Sequence, residues 1–562
     1  MNDLSKAERL KRDSHFLRGT IAEGLADPAT GAISDTDTGL LKFHGSYQQD
    51  DRDVRDERRR QKLEPDYGFM VRARLPGGVL TPGQWLAFDR IATTWGGGSL
   101  RITTRQTFQL HRVAKRDLKK VIAGIAELEA STIAACGDVN RNVVASVNPL
   151  LSSAHAEVHQ WARTLSDTFK PRTGAYRETW LDEAPVAPDA SEEPFYGDTY
   201  LPRKFKIGIA IPPVNDIDVF AQDLGLVAII ENGELTGFDL AVGGGMGAAQ
   251  GPKPTYPQLA DIIGFVTPSQ LIEAAHHVIA IQRDYGDRED RAHARLKYTI
   301  DDRGLDWFKQ ALESRLGFPL APARAYRFDH NGDRYGWVEG DDGRWHLTLA
   351  IEAGRLVDRD DRPWLTGLRG IARVHNGEFR LTCDQNVIIA GVAANARAAI
   401  DALVEAHRLD DYRHASGIRK HALACVALPT CGLAMAESER YLPALLAKVE
   451  TLLDRRGLLN EPIHLRLSGC PNGCSRPYLG EIALTGRAVG RYDLRLGADF
   501  AGERMNACHL ENVDEITILD TLDELFADYA STRREGEHFG DFIVRAGIVK
   551  PPARRTSQED GA

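Results

Sequence analysis

Long apolar runs are missing from this chain of 562 residues: none approaches the roughly 18 consecutive apolar positions that a bilayer span needs, so helical membrane insertion is not expected. Its first residues, MNDLSKAERLKRDSHFLRG, have neither an apolar core nor a small-residue cleavage site, and no secretory signal is read there. Positive charge is not in excess. With 70 basic and 80 acidic residues the net charge is −10, which disfavours wholesale nucleic-acid binding. Recognisable flavin or nicotinamide loops are absent too. Cysteine is scarce, at seven residues, and an odd number without an export signal argues against a disulfide framework and for a reducing cytosol.

Four of those cysteines are grouped. Cys425 and Cys431 form C-x5-C, and after a gap of 38 residues Cys470 and Cys474 form C-x3-C. Four thiolates offered by two short loops can converge on a soft metal centre, and an iron–sulfur cluster fits best. Zinc remains the competing reading, although C-x5-C falls outside its usual knuckle spacing. A zinc-stapled binding module would be colourless and would not transfer electrons. Cys136, Cys383 and Cys508 read as inert core or edge residues.

The composition, 43% hydrophobic and 27% charged, is that of a globular protein, and the length suggests three or four domains. β-branched alternation at Val144–Val147 and Lys206–Ile211 lies among helical stretches such as Leu118–Ala130 and Leu442–Leu453, so the class is mixed α/β. A repeat is also present. Gly98–Gln109 matches Gly377–Ile388 in pattern, and Leu75–Leu80 matches Ile351–Leu356 upstream, which predicts a duplicated module of about 70 residues with pseudo-two-fold symmetry. Arg105 of the first copy becomes Asp384 in the second, so the second copy is expected to be catalytically idle.

Cations recur on predicted strands. Arg72 and Arg74 alternate with apolar residues, as do Lys204 and Lys206, while Arg141 lies between two asparagines and Arg101, Thr103 and Arg105 share a third strand face. Converging, they would make an anion cavity; singly, each reads as a solvated surface charge. Gly243-Gly-Gly-Met-Gly247 fits either a plain turn or main chain lying flat against a planar cofactor. Residues 182–198 read as a surface loop and the tail from Pro551 as disordered.

Taken together, the cysteine pairs, Arg101-x-Thr-x-Arg-Gln-Thr-Phe-Gln109, Asn140-Arg-Asn142, Leu201-Pro-Arg-Lys-Phe-Lys206 and Phe43-His-Gly-Ser-Tyr-Gln-Gln-Asp-Asp-Arg52 resemble the sulfite and nitrite reductase hemoproteins. The likeness is nearest to their NADPH-dependent assimilatory type and runs from about Leu17 to about Val549. It implies that Cys425, Cys431, Cys470 and Cys474 bind a [4Fe–4S] cluster, with Cys474 also the axial ligand of a siroheme. Arg72, Arg141, Lys204 and Lys206 would hold the substrate anion. Arg101, Arg105 and Lys297 would pair with siroheme carboxylates, with Thr103 beside them, and Gln109, His111, Asn472, Gly243, Gly244 and Gly245 would line the cofactor. Lys206, where nitrite reductases tend to carry asparagine, favours sulfite over nitrite.

The resemblance further implies an arm at 1–66, a platform at 67–134 plus 333–408, and α/β lobes at 135–332 and 409–562. Through Asp53 the arm is similar to the region with which NADPH-type members engage a flavoprotein subunit carrying FAD and FMN, giving a hetero-oligomer. A ferredoxin donor is the alternative, disfavoured by the negative net charge.

Overall fold

The computed structural model describes residues 4–147, 152–172, 179–181, 184–186, 193–248 and 254–555. Its central platform is built twice. One five-stranded sheet runs Ser46–Asp50, Tyr67–Arg72, Phe108–Val113, Leu100–Ile102, Arg355–Leu356; the other runs Gly336–Glu339, Trp345–Leu349, Val387–Val392, Glu378–Leu381, Val79–Leu80. The last strand of each sheet comes from the other repeat, so each half completes its partner. The swap is fixed by close approach. A Cβ on Gly78 would lie 2.5 Å from the Leu381 carbonyl, and one on Gly354 would lie 2.2 Å from that of Ile102, the equivalent residue. Both glycines also have φ near +70°, where an L side chain is strained.

A helix packs on each half. Pro82–Trp95 begins with a capping box, in which Thr81 Oγ1 accepts from Gln84 N and the Gln84 side chain accepts from Thr81 N, and it buries Trp85, Phe88 and Ile91. Its counterpart Trp364–Val374 buries Leu365, Leu368 and Ile371. Trp85 stacks on Phe379 of the other repeat at 4.5 Å, so the halves share one core.

The duplication extends beyond the platform. Val144–Ala145, Ile207–Ala210 and Leu224–Glu231 run parallel and are continued by antiparallel Glu234–Val242 and Asp261–Val266. Ala422–Ala424, Leu465–Ser468 and Ile482–Ala488 repeat this, continued by Arg491–Leu496 and Ala507–Val513. Helices Ser153–Thr168 and Leu442–Arg455 occupy the same crossover. The second strand of each sheet is buried at all four residues, as strands covered on both faces must be.

Two expectations change. Residues 1–66 are not an extended arm, because Leu17, Leu40 and Phe43 are buried in the core of the first lobe and Ser46–Asp50 is an edge strand paired with Tyr67–Arg72. Lys11, buried beside Glu8 and 3.7 Å from Asp138, donates to the Leu201 carbonyl. Nor is the tail loose through Arg555, which pairs with Asp261 and Asp301. Of the expected loop at 182–198, residues 184–186 pair with Thr179–Leu181 as a two-stranded ribbon, while 182–183 and 187–192 lie outside the described residues. Among the described residues no helix is long and apolar enough to cross a membrane.

Candidate redox and anion site

Parallel pairing of Ala422–Ala424 with Leu465–Ser468 ends two strands side by side, and each runs into a cysteine loop. Cys425 N donates to the Leu467 carbonyl at 3.1 Å, and the Gly469 carbonyl accepts from Met435 N and Ala436 N at 2.8 and 3.0 Å. Gly469 N in turn donates to Cys425 Sγ at 3.3 Å, and Asn472 Nδ2 to Cys470 Sγ at 3.5 Å. A side chain at Gly469 would collide with Ala427 and the Ala436 carbonyl. The loops therefore interlock through main chain.

All four thiols are free. Burial and, second to it, the charge of Cys474 push Cys425 up to about 12 and Cys431 to about 11 and raise Cys470, so the sulfurs sense one another. Among the described residues no three Cys, His, Asp or Glu are disposed to hold a single ion.

Against this sulfur lies a cationic hollow. Phe205 is fully buried, its N donating to the Val139 carbonyl and its carbonyl accepting from Arg141 N at 2.9 Å, which sets Lys204 and Lys206 beside Asn140-Arg-Asn142. Neither lysine makes an ion pair or hydrogen bond among the described residues. Burial lowers Lys204 to about 7, helped by Arg203, Arg295 and Arg141; burial, then Lys204 and Arg105, depress Lys206 strongly. Arg141 is anchored by Nε to the Gly137 carbonyl at 2.8 Å. Arg72 donates from Nη1 to Cys136 Sγ at 3.0 Å and from Nε to the Gln109 amide oxygen at 3.1 Å, once that amide is turned to accept.

Polar atoms are orphaned around the hollow. Both side-chain atoms of Asn140, Asn142 Oδ1, Arg105 Nε and both His111 nitrogens are buried without a partner. Each such atom costs about 1–3 kcal/mol unless a ligand satisfies it. Unpartnered lysines, orphaned donors and free thiols together fit a polyanionic cofactor beside a sulfur-ligated cluster.

Not every expected contact is free to be made. Arg101 donates to Glu439 Oε2 at 2.8 Å and to the Ala424 carbonyl at 2.9 Å, and Arg355 grips the same carboxylate. Glu439 N donates to the Cys425 carbonyl, so Arg101 ties the platform to the cysteine loop. Lys297 is likewise committed, donating to the carbonyls of Gly245 at 3.1 Å, Gly247 at 3.2 Å and Tyr256. Arg105 holds Gln222 Oε1 at 2.8 Å and the Asn142 carbonyl, leaving only Nε. Thr103 Oγ1 accepts from Arg105 N at 3.2 Å.

The glycine loop answers first to its own packing. Gly243 has φ +86°, a Cβ on Gly244 would lie 2.2 Å from the Phe220 carbonyl, and one on Gly245 would lie 2.9 Å from Arg295 Nη2. Arg295 is held by a buried carboxylate, Asp223. Gly473, at φ +65° against the Met246 carbonyl, and Ala248 N, donating to the Pro471 carbonyl at 2.9 Å, join this loop to the last cysteine pair. Asn472 is exposed at that junction.

Sequence reasoning missed Tyr47, Cys136 and Glu439. Cys136, read as inert, is the sulfur that accepts from Arg72, and its place four residues before Asn140 was the available signal. Tyr47, pushed up to about 12 chiefly by burial, stands between Cys136, Arg141 and Arg72. Glu439 had none, being 338 residues from Arg101.

A duplicated ferredoxin-like platform whose lobes oppose free thiols to a cationic hollow defines a redox protein for a small anion. The comparisons narrow this. A family model described as "Nitrite/Sulfite reductase ferredoxin-like half domain" matches residues 61–128 and 338–407, and one described as "Nitrite and sulphite reductase 4Fe-4S domain" matches 160–320, the lobe with Lys204, Lys206 and the glycine loop. Two relatives named sulfite reductase [NADPH] hemoprotein beta-component, from Myxococcus xanthus and Bacillus subtilis, are 58% and 54% identical; the first covers 98% of this chain and of its own length, the second 99% and 98%. The solved structure of the Mycobacterium tuberculosis NirA protein superposes with TM-score 0.77 at 25% identity, covering 97% of each chain. The chain belongs to the nitrite and sulfite reductase family.

Proposed function

We propose that this chain reduces sulfite to sulfide by six electrons, as a hemoprotein subunit in cytosolic sulfur assimilation, using a siroheme and a [4Fe–4S] cluster. One observation carries the reading: Lys204 and Lys206, half-buried and with no ion pair or hydrogen bond among the described residues, join Arg72 and Arg141 in a hollow that feels the charge of Cys474. Cys425, Cys431, Cys470 and Cys474 would hold the cluster and Cys474 would reach the siroheme iron. When bound, these groups would relay the donor's electrons to the anion.

The protein's own part follows from its charges. Arg72 and Arg141, each fixed by a neighbouring acceptor, orient the oxygens of the anion. Every oxygen leaves as water and takes two protons. Lys204, with its ordinary value lowered to about 7, is suited to give them near neutrality and to be recharged from solvent. Burial, then the charges of Lys204 and Arg105, lowers Lys206 well below a free lysine, and an arriving anion favours its charged form. Three oxygens against four cations favour sulfite over the smaller nitrite monoanion.

Electrons would enter at the outer face of the cysteine loop, where Leu433 is 69% and Met435 43% exposed. Arg52 donates to the Ala434 carbonyl at 2.6 Å and Asp53 pairs with Arg440, so the N-terminal region forms the rim of that face. An apolar centre with a charged rim suits a transient protein donor. An NADPH-oxidising flavoprotein subunit is favoured over ferredoxin by the names of the relatives and by the net charge of −10. The test is the visible spectrum of the purified protein with acid-labile sulfide, then sulfide and ammonia release with a reduced dye. Colourless, iron-free protein would end the proposal, and turnover of nitrite far above sulfite would reassign the substrate.

A further inference from the structure

The segment Pro551–Arg555 has no part in the mechanism above, yet it closes on the glycine loop. Arg555 donates from Nη1 to Asp261 Oδ2 at 2.7 Å and from Nε to Asp301 Oδ1 at 2.8 Å, with its side chain only 14% exposed. Those carboxylates belong to separate elements: Asp261 opens strand Asp261–Val266, and Asp301 lies on helix Leu296–Arg303, which also carries Lys297. Arg555 Nη2 adds a bond to the Lys297 main-chain carbonyl at 3.4 Å. The guanidinium then reaches the loop itself, since a Cβ on Gly243 would lie 3.0 Å from Arg555 Nη1. One residue earlier, Arg554 covers the Phe220 ring at 4.8 Å, and the Phe220 carbonyl is the atom that bars a side chain from Gly244.

The opposite side of the loop is tied to the same helix. Lys297 donates to the carbonyls of Gly245, Gly247 and Tyr256, while Tyr256 Oη donates to the second oxygen of Asp301 at 2.6 Å. Asp301 is therefore shared by the two clamps. Without Arg555, Asp261, whose carboxyl is already raised by burial, would lose its paired cation and keep only the weaker influence of Arg554, and strand and helix would lose their bridge behind Gly243.

We propose that Arg555 is a positioning residue for the Gly243–Gly247 loop, and that Pro551–Arg555 straps this wall of the cofactor site so that the tetrapyrrole is retained. This rests on reading the loop as part of the siroheme site. The test compares the full chain with Arg555→Ala, Arg555→Lys and a truncation after Arg555. Two readouts are taken: tetrapyrrole absorption per acid-labile sulfide in holoprotein, and hydrogen exchange at the Gly243 and Gly245 amides in cofactor-free protein. Those amides donate to the Asp223 and Gln258 carbonyls and so report loop opening.

Arg555→Ala should lose tetrapyrrole several-fold relative to cluster and exchange about fivefold faster or more. Arg555→Lys, unable to bridge both carboxylates, should fall between, and the truncation should match the parent. Unchanged exchange in Arg555→Ala would overturn the strap, as would cofactor loss in the truncation equal to that in Arg555→Ala. Were the parent itself to hold no tetrapyrrole, the reading of the site would fail while the exchange arm still judged the strap.

Discussion

The two halves of this molecule share one plan and carry opposite chemistry. In the first, the chain approaching the parallel strands Val144–Ala145 and Ile207–Ala210 bears Arg141, Lys204 and Lys206, with neither lysine in an ion pair among the described residues. In the second, chain leaving the equivalent strands bears the four cysteines, and the nearby arginines are neutralised. The second half contains a cavity of about 380 Å³ lined by Glu352, Arg362, Asp384, Asp411, Arg419 and Glu450. There Arg419 is held by Glu352 at 3.0 Å and Glu450 at 2.6 Å, and Arg362 lies 3.3 Å from Asp411. Anion binding needs charge without a partner, and this cavity has its arginines paired. Duplication supplied two frames, and divergence gave one of them charge and the other sulfur.

The hardest way to break that division is at the sulfur. Cys474→Ser should abolish the tetrapyrrole absorption and lower sulfite turnover by about a thousandfold or more. Cys508→Ser, in the edge strand Ala507–Val513, should leave both unchanged. Equal damage from the two would show that the cysteines serve folding rather than electron flow. Spectra and iron content of both variants decide it.

On the cationic side, Lys206→Asn should cost sulfite kcat/KM about a hundredfold, or roughly 2.7 kcal/mol of transition-state stabilisation, while nitrite turnover falls far less. Arg101→Lys should instead weaken the join between platform and cysteine loop, because Arg101 already holds Glu439 and the Ala424 carbonyl. Its signature is lowered thermal stability with the substrate preference unchanged. A preference shift from Arg101→Lys, or none from Lys206→Asn, would redraw the boundary of the hollow.

That contrast also marks what the sequence could tell. Cysteine pairs, strand lysines and the repeat are local patterns, and each was legible because a few neighbouring residues determine it. A lone basic side chain does not announce its partner, so the bonds of Arg101 to Glu439 and of Lys297 to the glycine-loop carbonyls, which the fold supplies, were not legible. The N-terminal segment and the tail were misjudged for the same reason. Their charges are dense, but Leu17, Leu40 and Phe43 in one and Arg555 in the other find their burial or partners hundreds of residues away or in another element. The pseudo-symmetry of the lobes was hidden as well, since their sheets share topology and almost no motif.

Asp384 tests the mirror of Arg105 through pH. Burial, then Asp333, raises its carboxyl to about 8, and Asp216 and Asp333 are raised to about 7 by burial, so this group keeps protons that the unfolded chain sheds near pH 4. Stability from these groups is complete below about pH 4 and is lost as pH rises through about 7 to 8. Asp384→Asn should flatten that decline by on the order of 1–2 kcal/mol between pH 6 and 8.5 with sulfite turnover within about twofold. Asp384→Arg is the poorer probe. It would bury a second cation beside Arg476, now 3.7 Å from Asp384. Thermal melts across that pH range would refute the linkage if both proteins kept the same slope.

The smallest expected effect isolates one hydrogen bond that only the first half makes. Thr104 Oγ1 donates to the Cys474 carbonyl at 3.0 Å, while its repeat equivalent Cys383 offers only a main-chain carbonyl, which accepts from Arg476 Nη2 at 3.3 Å. Arg476 also donates to the Thr104 carbonyl at 3.1 Å, so one arginine spans both repeats behind the last cysteine loop. Thr104→Val keeps the shape and removes the hydroxyl, at a cost of about 0.5–1.5 kcal/mol, because the bond is partly open to water and Arg476 still grips the main chain. The melting temperature should drop by a few degrees at most with the visible spectrum unaltered. A spectral change from so small a deletion would mean that the platform turn itself sets the geometry at Cys474, and the asymmetry of the halves would then begin at Thr104 rather than at Arg105.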